Sequence, residues 1–73
     1  MEDQFITAIE QTIRDRYQQK YGRVTIDLDE VAPEEENQAR VQFTIRKANS
    51  FITRYYGWAA YQDGQVHLEV MSI

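Results

Sequence analysis

The stretch FITRYYGWAAYQDGQVHLEVMSI, residues 51–73, decides the fold. It reads as two strands joined at Asp63-Gly64, because a type I′ turn needs positive φ at both central residues and Asp and Gly take it at low cost. With Gln62 opposite Gln65, Tyr55, Gly57, Ala59 and Tyr61 lie on the face of Val66, Leu68 and Val70. Tyr56, Trp58 and Ala60 then share the other face with Met71, Glu69 and His67. The first face has small residues where a helix can sit close. The second carries large aromatics with no evident partner.

Upstream, the same two-residue period recurs twice. Val24, Ile26 and Leu28 alternate with Thr25, Asp27 and Asp29, and Ala39, Val41, Phe43 and Ile45 alternate with Arg40, Gln42, Thr44 and Arg46. Both patterns predict half-buried antiparallel strands. EVAPEEENQ, between them, holds the only proline and an acidic run, so it is expected to be an exposed connection. A three-residue loop Lys47-Ala48-Asn49, with Asn49 in the left-handed conformation, would pair Arg46 with Ser50 and Ile45 with Phe51. That register keeps Val41, Phe43 and Ile45 on the side of Tyr55, Gly57 and Ala59.

Before the strands, Phe5, Ile6, Ile9, Ile13 and Tyr17 recur at spacings of three and four, with Tyr21 at the edge of the stripe. This is an amphipathic helix. Asp3 is a candidate cap, Gly22 suits the position after the last turn, and Glu10 with Arg14 forms an i,i+4 pair of favourable orientation. Tyr17 and Tyr21 read as packing at the core edge. The reading is a single α+β domain over residues 1–73, with helix near 4–21 and strands near 24–30, 38–46, 51–62 and 65–72. The helix packs on one face of a four-stranded antiparallel meander, with Gly57 and Ala59 beneath it.

A chain of 73 residues without cysteine has neither a large core nor disulfide or thiolate-metal staples, which makes association a natural source of extra stability. The opening residues MEDQFITAIEQ lack a basic leader and a continuous apolar run, so a cytoplasmic protein with no membrane contact is expected. The net charge of −4 conceals segregation: residues 24–36 carry Asp27, Asp29, Glu30, Glu34, Glu35 and Glu36 without a base, whereas 37–62 carry Arg40, Arg46, Lys47 and Arg54 without an acid. Complementary charges on neighbouring strands are the plainest explanation. A polar field that orients a protein partner is the functional one.

Catalytic and metal chemistry find little support. His67 is the lone histidine and lacks a nucleophile motif, and His67 with Glu69 would supply only part of a metal shell. Asp27 and Asp29 share a face but are expected to be ionised and solvated, and Gly22, Gly57 and Gly64 are too isolated to form a phosphate cradle. No enzyme activity and no cofactor are expected. The candidate binding residues are Arg40, Arg54, Tyr56, Trp58, His67, Glu69 and Met71, which combine aromatic area with guanidinium groups as interface hot spots do. The expected partner is protein, with a homodimer the simplest case. Single-stranded nucleic acid or a small ligand on the same face is the alternative, with nucleic acid disfavoured by the acidic balance.

Overall fold

The computed structural model describes the backbone of residues 2–48 and 50–72 and the side chains of residues 5–48 and 50–72. One helix, α1 (Glu2–Tyr21), precedes four strands, β1 (Thr25–Pro33), β2 (Gln38–Lys47), β3 (Ser50–Gln62) and β4 (Gln65–Ser72). The strands form one antiparallel sheet in the order β1-β2-β3-β4. This is the expected α+β meander with the helix on one face.

The helix stripe forms the core as its spacing requires. Ile9 and Ile13 are fully buried, Phe5 and Tyr17 nearly so, against Ala39, Val41, Phe43 and Ile45 of β2, Ile26 of β1, and Tyr55 and Ala59 of β3. Phe5 meets Tyr61 edge-on at 6.5 Å, and Tyr17 packs against Tyr55 at 4.8 Å and Phe43 at 5.0 Å. The two ends of the contact match in length: from Phe5 to Tyr17 a helix rises about 18 Å, and from Tyr55 to Tyr61 a strand spans about 20 Å. Gly22 ends the helix with φ of 81°, its amide donating to the carbonyl of Gln18 at 2.8 Å. The Asp3 side chain lies outside the described residues. Arg14 does not pair with Glu10; it donates instead to the carbonyl of Ile26 at 3.2 Å, tying the helix to the β1 edge.

A helix is about 10 Å across and strands are spaced about 4.8 Å apart, so a single helix covers about two strands of a four-stranded sheet. The consequence is visible at β4. Val66, Leu68 and Val70 are half-buried, as are Ile6 of the helix and Leu28 and Val31 of β1.

Two register details differ from the sequence reading. β1 runs on to Pro33 because a bulge at Asp29 separates the Leu28–Phe43 and Glu30–Gln42 pairs. The inserted residue turns Val31 to the helix side opposite Val41, so the acidic connection is shorter than expected and Asn37, with φ of 63°, helps close it. The β2–β3 turn is also tighter than the expected three-residue loop: Lys47 pairs with Ser50 and Ala48 has φ of 52°, while Asn49 lies outside the described residues. A second bulge, at Ile52, then separates the Arg46–Phe51 and Ile45–Thr53 pairs. Phe51 consequently lies opposite Arg46 rather than Ile45 and is exposed. The two offsets together restore the two-residue phase, which is why Phe43 still shares the core face with Tyr55.

The β3–β4 hairpin has the expected register from Gln62–Gln65 to Tyr55–Ser72, with Asp63 and Gly64 at φ of 53° and 75°. Gly57 has a different role from the expected close approach of the helix. A Cβ there would fall on the carbonyl oxygen of Glu69 and 2.8 Å from the Cα of Val70, so the missing side chain makes room for the backbone of β4. Its φ of 157° is another reason for glycine.

Candidate functional site

The sheet face away from the helix divides into a charged half and an aromatic half. Across β1, β2 and β3 the acids and bases pair as their segregation in sequence suggests. Arg46 Nε donates to Asp27 Oδ2 at 2.8 Å, and Arg40 reaches Glu30 and Glu34 at 3.4 and 3.3 Å. Arg54 donates to Thr44 Oγ1 at 3.2 Å, and Thr44 donates in turn to Asp29 at 2.6 Å. Thr44 is fully buried, so this relay satisfies a hydroxyl that the overlying side chains seal from water. The ion-pair partners remain partly exposed, and each such pair contributes about 0–1 kcal/mol.

This pairing separates the seven candidate residues. Arg40 and Arg54 are engaged with β1, the loop after it and Thr44, while Tyr56, Trp58, His67, Glu69 and Met71 occupy the β3–β4 half. Tyr56, Trp58 and Met71 are 43%, 55% and 61% exposed, so the guanidinium groups do not cover them. Met71 lies opposite Tyr56 and Glu69 opposite Trp58. The Trp58 indole donates to Glu34 Oε1 at 3.3 Å, linking the two halves. Among the described residues His67 and Glu69 enter no ion pair and no side-chain hydrogen bond.

Shallow depressions flank Trp58. One, of about 280 Å³, is lined by Gln38, Ala60, His67 and Glu69; the other, of about 260 Å³, by Glu30, Arg40, Gln42 and Tyr56. Gln38 and Gln42 escaped the sequence reading because polar residues on an exposed strand face carry no distinguishing signal. Phe51 escaped it too, since its exposure follows from a bulge that alternation does not reveal. Among the described residues, no three His, Cys, Asp or Glu side chains are placed to hold a metal ion. No helix among them is long and apolar enough to cross a membrane.

The sheet edges differ in protection. β1 carries a bulge, ends in proline and has the Ile26 carbonyl occupied by Arg14. Among the described residues, β4 has none of these devices.

At the far end of the helix, Tyr21 Oη lies 2.7 Å from Tyr55 Oη, and Lys20 Nζ donates to the same Tyr55 oxygen at 3.4 Å. Burial raises the pKa of Tyr17, while the Tyr55 hydrogen bond is the main cause of the rise at both Tyr21 and Lys20. The cluster is continuous with the core through Tyr17, which fits its packing role.

Comparisons with protein-family models, curated proteins and solved structures return no match to this chain.

Proposed function

We propose that this chain is a non-catalytic protein-interaction domain that associates with a second copy through the β4 edge and the neighbouring Tyr56, Trp58 and Met71 surface, in a cytoplasmic setting. The observation that carries this reading is the asymmetry of the sheet: β1 is guarded by a bulge, a proline and Arg14, whereas β4 presents an open edge beside the exposed aromatics. Adding a strand to such an edge supplies backbone hydrogen bonds while covering the half-buried Val66, Leu68 and Val70. A two-fold pairing satisfies both copies at once.

The engagement of Arg40, Arg46 and Arg54 with carboxylates or Thr44 favours protein over nucleic acid, because phosphate binding would have to compete with those contacts. Sedimentation velocity at several concentrations tests the proposal. The wild type is expected to move from monomer to dimer, with Trp58→Ala and Met71→Lys weakening association while circular dichroism retains the helix signal. A wild type that stays monomeric throughout contradicts it.

A further inference from the structure

We propose that β4 pairs with β4 of a second copy in an antiparallel register centred on Leu68, so that His67 of each chain faces Glu69 of the other. This rests on the self-association reading above and specifies its geometry. In a two-residue hairpin the residues flanking the turn exchange both of their backbone bonds, and alternate residues thereafter do the same. Gln65, His67, Glu69 and Met71 therefore direct their amides to β3. Val66, Leu68, Val70 and Ser72 present theirs at the open edge.

The side chains choose among the symmetric registers. Centring on Leu68 opposes Leu68 to itself and Val66 to Val70 on the helix side, where all three are only half-buried in one chain. On the outer side it opposes His67 to Glu69 and Gln65 to Met71. Both copies gain the same contacts, so His67 and Glu69, which have no side-chain partner among the described residues, acquire partners in duplicate.

The neighbouring registers lack this agreement. Centring on Glu69 adds backbone bonds at Ser72 but places two carboxylates directly opposite each other and faces Val66 with Ser72, and like charges in opposed positions destabilise a strand pair. Centring on His67 opposes the two histidines and carries Met71 past the strand to Asp63 in the turn. Centring on Val70 faces Leu68 with Ser72 and shortens the paired segment. The Leu68 register alone matches apolar residues on one face and complementary polar groups on the other.

Cysteine trapping reads the register directly, because the natural chain contains no cysteine. His67→Cys and Glu69→Cys are made separately at exposed positions and oxidised alone and as an equal mixture. Directly opposed residues of a pair without mutual backbone bonds have Cα atoms about 4.5 Å apart, within disulfide range. In the Leu68 register the mixture yields roughly ten-fold more cross-linked dimer than either variant alone, since only the mixture brings two cysteines opposite each other. Efficient cross-linking of Glu69→Cys alone, or of His67→Cys alone, assigns a different register and overturns the inference. So does a dimer seen by sedimentation that none of the three samples traps. A wild-type chain that is monomeric by sedimentation overturns the association reading itself, which separates the two failures.

Discussion

Replacing Gly57 with alanine isolates the contact that lets β4 lie against β3. Substituting alanine for glycine inside a strand ordinarily stabilises by about 0.5–1 kcal/mol, so the sign of the effect is already informative. At Gly57 the new methyl would meet the Glu69 carbonyl and the Val70 Cα at 2.8 Å, and β4 backbone cannot rotate aside as a flexible side chain can. Overpacking of this kind costs about 1–3 kcal/mol. Holding a non-glycine residue at a φ of 157° adds strain of about 1–3 kcal/mol. A loss of about 2–6 kcal/mol is therefore expected, against roughly 4–11 kcal/mol for a domain of this length. Urea unfolding followed by circular dichroism measures it, and with a slope of about 1–2 kcal/mol per molar the midpoint falls by more than about 1 M. The same displacement of β4 should weaken association. An unchanged or raised midpoint in Gly57→Ala would refute the argument that glycine is needed for β4 to approach.

Thr44→Val tests the buried relay on the outer face. Removing a hydroxyl that bridges Arg54 and Asp29 should cost about 1–2 kcal/mol, and equal stability by urea titration would show that the relay contributes nothing. Stability should also fall at alkaline pH. Because Tyr17, Tyr21 and Lys20 have raised pKa values in the fold, their contribution is complete below the unfolded values near pH 10 and is lost as pH rises through the folded ones. Tyr21→Phe removes one of these groups and its bond to Tyr55, so its urea midpoint should decline less steeply above pH 10; an identical decline contradicts this assignment. On the outer face, Met71→Lys is expected to weaken dimerisation by about ten-fold with the helix signal intact, since Met71 lies against Gln65 of the second copy and an ammonium group there must give up part of its hydration without gaining a charged partner. Simultaneous loss of helix would place Met71 in the fold instead.

Sequence made the β3–β4 hairpin legible because turn chemistry and alternation independently specify one register. The helix stripe was legible for a similar reason: Phe5, Ile9, Ile13 and Tyr17 recur through successive turns and all reach the core. What escaped were single-residue insertions. At Asp29 a bulge changes the phase midway through β1, and at Ile52 another offsets a shortened turn, so strict alternation places Phe51 on the wrong face. The Gly57 role escaped for a different reason, because its obstacle is the backbone of the adjacent strand and backbone proximity carries no sequence letter. On the candidate face, residue types identified Tyr56, Trp58 and Met71 as an exposed group. They did not reveal that Arg40 and Arg54 are held by Glu30, Glu34 and Thr44, which depends on how the charged side chains meet across strands.

Amide hydrogen exchange, read residue by residue at low and high protein concentration, reports whether β4 is a pairing edge. The amides of Val66, Leu68 and Val70 should be weakly protected in dilute protein and become protected as concentration rises, while exchange at the guarded β1 edge stays constant. Exchange at those three positions that remains fast and independent of concentration, in protein whose core amides are protected, would contradict the account.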